Sequence, residues 1–151
     1  MTGDLPKDWA AATPPELAAD VPYSLGIGPF GSNLKVSDYR AEGVPLIFVR
    51  NIRSEVFGGS DSKFVSAAKA AELRPHWAEP GDVLITKMGD PPGDSTLYPL
   101  SAPSAVVTAD CIKWRIHPAA GPPKYFVYAV RNVEVQQQIH GITKGVAQRK
   151  V

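Results

Sequence analysis

The sequence predicts a single α/β (α+β) domain built from short strands and a few short helices. A length of 151 residues is typical of one domain. The composition, 44% hydrophobic and 21% charged residues, is that of a globular chain rather than a disordered one. Fifteen Pro and 13 Gly residues shorten the elements and multiply the loops between them.

Three segments carry helix signals. Residues 14–19 open with two prolines, which suit a first helical turn. Ser66 is a suitable N-cap for a helix over residues 67–74, and Pro75 ends that helix. Pro122 and Pro123 begin the longest predicted helix, with Gly141 at the position of a C-terminal cap.

Three other segments carry strand signals. Residues 44–53 are rich in β-branched and aromatic side chains and predict a strand that leads into a loop, with pairing delayed by Pro45. Residues 82–87 follow a Pro-Gly turn and predict a buried strand that enters the loop 89–93. Residues 105–117 predict the longest strand, with one apolar face and one face that carries Lys113 and Arg115.

Several classes of protein are excluded by simple counts. Cys111 is the only cysteine, so the chain has no internal disulfide and no thiolate set for a structural zinc. We interpret Cys111 as a small buried side chain. The apolar runs are far shorter than the roughly 20 residues of a membrane span, and the N-terminus lacks the pattern of a secretory signal. We therefore expect a cytoplasmic protein without membrane contact.

Charge is distributed unevenly although the net charge is only +1. Residues 113–151 carry +6, from seven Lys and Arg residues against Glu134 alone. A surface that meets phosphates has this character, and a solvated basic tail has it as well.

Three motifs suggest enzymatic or cofactor sites. Gly26–Gly31 matches the spacing of a dinucleotide-binding loop, but Pro22 and Pro29 exclude the strand and helix that such a loop needs. Asp90–Gly93 is similar to a base-stacking loop of methyltransferases, but Gly93 has no ring to stack. Asp61-Ser62-Lys63 matches half of a metal-dependent nuclease site, and we interpret it as a surface turn.

A series of segments, taken in order, resembles the target recognition domain of the DNA-specificity subunit of type I restriction-modification systems. The matching segments are Gly28–Lys35 with Asp38-Tyr39, which resemble a glycine-serine loop; Gly43–Ile52, which resembles "G-V-P-x-I-x-x-x-N-I"; Ala71-Glu72-Leu73 and Pro80–Gly89 with Gly93; Tyr125–Tyr128 and Gln138-Ile139; and Gly145 with Gln148. The resemblance covers about residues 5–151.

The resemblance implies a mixed, curved β-sheet and a DNA-binding role without an active site. It also implies double-stranded DNA, a methyltransferase subunit and a restriction/translocase subunit as partners, with S-adenosylmethionine, ATP and magnesium on those subunits and no cofactor on this chain. The family's long conserved spacer helix would follow Val151. We therefore expect residues 1–151 to be a single target recognition domain, either a piece of a longer subunit or a minimal stand-alone relative.

Side chains that can meet phosphates or base edges mark the candidate DNA contacts. They are Ser32, Asn33 and Lys35 in one loop, Arg50, Asn51 and Arg53 after a strand, Lys87 after the next buried strand, and Lys144, Gln148 and Arg149 near the end of the chain. For Asn51 a turn-forming role within the fold is an equally good interpretation.

Two other functions fit parts of the sequence. A small metal-dependent nuclease or DNA-modification accessory enzyme would use Asp61, Lys63, Asp82 and Lys87. A protein-binding module on the same fold would use none of these residues for chemistry.

Overall fold

A computed structural model describes residues 4–59 and 61–143, together with the backbone of residues 149–150. In these ranges the strands are β1 (Leu25–Ile27), β2 (Val44–Ile47), β3 (Phe64–Val65), β4 (Trp77–Ala78), β5 (Val83–Thr86), β6 (Met88–Gly89), β7 (Ser95–Leu97), β8 (Ala105–Val107), β9 (Cys111–Trp114) and β10 (Arg149–Lys150). The α-helices are α1 (Pro14–Leu17), α2 (Val49–Ile52), α3 (Ala67–Glu72), α4 (Pro123–Arg131) and α5 (Val133–Ile142), and single 3-10 turns lie at Gly31–Asn33, Val36–Asp38 and Arg74–His76.

The strands form two four-stranded sheets and one short pair. One sheet has the order β1-β9-β5-β7 and is antiparallel throughout. The other has the order β3-β2-β8-β4 and is mixed, because β2 and β8 run parallel while the other neighbours run antiparallel. Strand β10 pairs with β6. The predicted α/β domain with a mixed sheet is confirmed, and the strands are divided between two sheets.

The core lies in layers because neighbouring residues on a strand point to opposite faces. Ile47 and Val107 of the mixed sheet share one buried cluster with Leu84 of the antiparallel sheet, so these residues pack between the sheets. Leu46 and Val106 point the other way and pack with helix α3. Val83 and Trp114 pack with helix α4 on the far face of the antiparallel sheet.

The prediction of one strand over residues 105–117 is wrong. Strand β8 ends at Val107 and β9 begins at Cys111, and the two strands belong to different sheets. The chain turns at Thr108, whose carbonyl accepts from the Cys111 N–H at 3.0 Å and whose hydroxyl donates to the Ile47 carbonyl at 2.8 Å. The first bond closes a local turn, and the second ties this turn to the end of β2.

The prediction of one helix that ends at Gly141 is also wrong. Asn132 has extended backbone between α4 and α5, and its side-chain oxygen accepts from the Glu134 N–H at 2.9 Å. Asn132 is therefore the N-cap of a second helix, a position that Asn favours. Gly141 lies inside α5, and the C-terminal cap is Thr143.

Other local predictions are confirmed. Helix α1 begins with two prolines, and the Ser66 hydroxyl caps α3 by accepting from the Lys69 N–H at 3.1 Å. Strand β5 follows the predicted turn. Strand β2 is shorter than predicted, because helix α2 occupies residues 49–52 where the sequence predicts a continued strand. No helix of the described residues is long and apolar enough to cross a membrane.

Candidate nucleic-acid interface

The segment after β1 displays three of the candidate contacts. Gly28 is buried, and a Cβ on it would lie 2.1 Å from the Thr108 carbonyl carbon, so the base of this segment is packed against backbone. The chain then turns through the 3-10 turn at residues 31–33, where Gly31 has φ +54°. Ser32, Asn33 and Lys35 are all exposed on this turn and just after it. The fold thus holds the segment at its base and leaves its polar side chains accessible.

Lys87 lies beside this segment. It follows β5, and its backbone N–H donates to the Asp110 carbonyl at 2.8 Å. Its Nζ lies 5.3 Å from the centroid of the Phe30 ring, which is 61% exposed. We call the surface formed by Phe30, Ser32, Asn33, Lys35 and Lys87 the Phe30–Lys87 surface. It unites two candidate segments that are far apart in the sequence.

The backbone of the C-terminal segment comes close to the same place. In the β10–β6 pair, Arg149 lies opposite Gly89 and Lys150 lies opposite Met88, directly after Lys87. Lys144 and Gln148 lie outside the described residues, and so does the side chain of Arg149. The backbone of the two basic residues Arg149 and Lys150 therefore lies next to the Phe30–Lys87 surface.

Asn51 is not on this surface, and its place in the list of DNA contacts needs correction. The side chain is only 8% exposed. Its Oδ1 accepts from the Phe48 N–H at 2.8 Å, and its Nδ2 donates to the Gly58 carbonyl at 2.9 Å. Both polar atoms of the amide hold the α2 turn and the following loop together, so the turn-forming interpretation is the correct one.

Arg50 and Arg53 lie on either side of Asn51 and are exposed, but they have different surroundings. The Arg50 guanidinium stacks on the Phe48 ring at 4.1 Å and donates to the Asp61 carbonyl at 2.7 Å. Arg53 lines a groove of about 330 Å³ together with Asp94 and Arg131. Arg50 thus makes contacts within the fold, whereas Arg53 borders a groove that the acidic residues Glu55 and Asp94 also line.

Part of the basic charge of residues 113–151 is internal. Lys113 is 1% exposed, and its Nζ donates to the Tyr23 carbonyl. Burial lowers the pKa of Lys113, and the positive charge of the nearby Arg115 lowers it further. Arg115 forms a two-point ion pair with the buried Asp82, at 2.9 and 3.1 Å, and these hydrogen bonds raise the pKa of Arg115. Lys113 and Arg115 follow the predicted alternation with Trp114 and Ile116, but neither is a free surface cation, because Lys113 is buried and Arg115 pairs with Asp82.

The residues of the nuclease alternative do not converge. Asp82 precedes β5 and Lys87 follows it, so the two lie at opposite ends of that strand. Asp61 pairs with Lys63 at 2.9 Å, and that hydrogen bond and charge lower the pKa of Asp61. Among the described residues no group of three or more His, Cys, Asp or Glu side chains is arranged to hold a metal ion.

The Asp90–Gly93 loop is packed under helix α5. The Gly93 N–H donates to the Thr86 carbonyl and hydroxyl, both at 3.0 Å, and the Gly93 carbonyl accepts from the Gln136 amide at 3.0 Å. A Cβ at Gly93, where φ is +104°, would lie 3.3 Å from Gln136 and Ile139. The absence of a side chain at Gly93 thus lets the loop pack closely against helix α5.

Cys111 is fully buried, as predicted. Burial raises the pKa of its thiol to about 12. Burial and the raised pKa both disfavour a reactive thiolate, in agreement with the interpretation of Cys111 as a small buried side chain.

Sequence reasoning missed Phe30 as a functional candidate. The sequence places Phe30 among glycines but does not show whether its ring packs inside or outside the fold.

Comparison with known proteins supports the fold. No family model and no curated protein matches this sequence. Among solved structures, the chain is similar to one in a structure that addresses the complex assembly and conformational transition of the type I restriction-modification system. The TM-score is 0.65 at 18% sequence identity.

The similarity covers 90% of this chain and 30% of the other, so this chain spans less than a third of that neighbour. At such low identity the similarity concerns the fold. The α/β fold predicted from the sequence motifs is therefore found again in a component of a type I restriction-modification complex.

Proposed function

We propose that this chain is a non-catalytic DNA-recognition domain of a type I restriction-modification system. The observation that carries the proposal is the Phe30–Lys87 surface. There Lys87 lies beside Phe30, and the turn that follows Phe30 exposes Ser32 and Asn33, on a fold shared with a chain in a structure of such a system. These are the groups that duplex DNA binding requires.

The two kinds of DNA contact are assigned to different residues. Lys87 and Lys35 are cations that neutralise phosphates, which supplies affinity without regard to sequence. Ser32 and Asn33 offer hydrogen bonds to base edges, and an Asn amide matches the two major-groove atoms of adenine. Lys144, Gln148 and Arg149 remain expected contacts from the C-terminal segment.

The partners follow from the proposed role. A recognition domain directs enzymes that act on the same DNA, so a methyltransferase subunit and a restriction/translocase subunit are the proposed protein partners. S-adenosylmethionine, ATP and magnesium would be bound by those subunits. The nuclease alternative is not favoured, because Asp61 pairs with Lys63 and Asp82 pairs with Arg115. Asp82 and Lys87 also lie at opposite ends of β5, so the four residues do not form one site.

Replacement of Lys87 with Ala tests the electrostatic part of the proposal. Each phosphate contact contributes about −0.9 to the slope of log affinity against log salt, so Lys87→Ala should make the slope shallower by about one. The measurement is fluorescence anisotropy of a labelled random-sequence duplex, titrated with the full chain at several salt concentrations.

Lys124→Ala is the matched control. Lys124 is exposed and lines a groove together with Leu97 and Pro99, and Leu97 pairs with Val83 at the end of β5 opposite Lys87. This variant should keep the wild-type slope. Binding that does not depend on salt, or equal effects of the two substitutions, would contradict the proposed surface.

A further inference from the structure

Phe30 is set apart from other exposed apolar residues by its surroundings. Single exposed apolar side chains are normal on protein surfaces, and exposure alone assigns no role. Phe30 lies directly before the turn that carries Ser32 and Asn33, and the Lys87 ammonium lies 5.3 Å from its ring centroid. Its apolar ring thus lies next to a cation and next to a turn with polar side chains, and both can contact DNA.

The backbone under Phe30 is fixed. Gly28 is packed so closely against the Thr108 backbone that no Cβ fits, and Pro29 is buried. The Phe30 carbonyl accepts from the Asn33 N–H at 3.1 Å, which closes the turn. Because the backbone of this turn is anchored, only the two side-chain torsions of Phe30 need ordering when the ring contacts a partner.

We propose that Phe30 reads a thymine by packing against its 5-methyl group in the major groove, with Lys87 on a neighbouring phosphate. This inference rests on the proposed function. Thymine is the one standard DNA base with an apolar group at the major-groove edge, and apolar side chains recognise it by contact. The cation beside the ring favours the approach of the ring to the negatively charged DNA backbone.

Thymine-to-uracil replacement isolates this contact, because uracil differs from thymine only by the missing methyl group and keeps every hydrogen bond. The full chain is first used to select preferred duplexes from a randomised pool. Each thymine of the selected site is then replaced singly by deoxyuridine. Burial of one methyl-sized group corresponds to about a fourfold change in affinity, so one position should show a loss of about fourfold.

The variants assign the effect to Phe30. Phe30→Ala should bind the thymine and uracil duplexes equally, while Phe30→Leu should retain part of the preference. Leu100→Ala is the matched control, since Leu100 is 78% exposed and a Cβ on Gly81 would lie 3.3 Å from it, at the opposite end of β5 from Lys87. It should keep the full discrimination.

The outcomes separate this inference from the function on which it rests. Wild-type binding without thymine-uracil discrimination at any position would overturn the role of Phe30 and leave the DNA-binding proposal standing. A discrimination that survives in Phe30→Ala would also overturn it. Absence of salt-dependent binding to any duplex would contradict the proposed function itself.

Discussion

At the scale of single residues, Asn51 and Asn33 have opposite environments. The Asn51 amide joins the Phe48 N–H to the Gly58 carbonyl and is buried. Asn33 is exposed on the turn after β1. The buried Asn51 amide therefore stabilises the fold, whereas the exposed Asn33 amide is accessible to a ligand.

Replacement of Asn51 with Ala should destabilise the fold. It leaves the Phe48 N–H and the Gly58 carbonyl, both partly buried, without their partners. The cost is about 1–3 kcal/mol for each group that water does not reach. Chemical denaturation followed by tryptophan fluorescence measures the change. Asn33→Ala, at an exposed position, should stay within about 0.5 kcal/mol of the wild type. An Asn51→Ala protein with unchanged stability would show that these two hydrogen bonds contribute nothing.

At the scale of elements, the segment from β1 to the 3-10 turn depends on close packing at Gly28. The Gly28 Cα approaches the turn between β8 and β9, which is the point where the chain passes from the mixed sheet to the antiparallel sheet. This contact connects the candidate DNA-binding segment to both sheets.

Gly28→Ala should disrupt this junction. The added Cβ would lie 2.1–2.4 Å from backbone atoms of Thr108 and Val107, and backbone cannot rotate away as a flexible side chain can. We expect a loss of about 1–3 kcal/mol, the usual range for overpacking. Gly58→Ala is the control, since nothing lies within 4 Å of its added Cβ, and it should be near neutral. Thermal unfolding that ranks the two variants in the opposite order would contradict the packing argument.

Elements with local signals were predictable from the sequence. Helix α3 has its cap at Ser66, and β5 has its Pro-Gly turn, so neighbouring residues determine where each begins. The break between β8 and β9 was not predictable in the same way. Residues 105–107 and 111–114 both carry strand-forming side chains, so the sequence favours one continuous strand. The Thr108 hydrogen bond to the Ile47 carbonyl, on a distant strand, lies where the chain changes sheets.

At the scale of the whole molecule, charge along the sequence and charge on the surface differ. Lys113 and Arg115 contribute to the +6 of residues 113–151, yet one is buried and the other is paired with Asp82. The sequence cannot show this, because burial depends on the sheet that β9 joins. Ser32, Asn33, Lys35 and Lys87 were predictable as accessible polar groups, whereas Phe30 needed the structure.

The central claim is that the Phe30–Lys87 surface recognises DNA. Selection of duplexes from a randomised pool by the full chain, at about 0.15 M salt, tests this most directly. We predict that the wild type enriches a defined short sequence, and that Asn33→Ala loses about 1–3 kcal/mol of discrimination at one base pair while its affinity for random DNA is unchanged. A pool that remains random after repeated selection, although the chain binds DNA, would contradict sequence recognition by this domain.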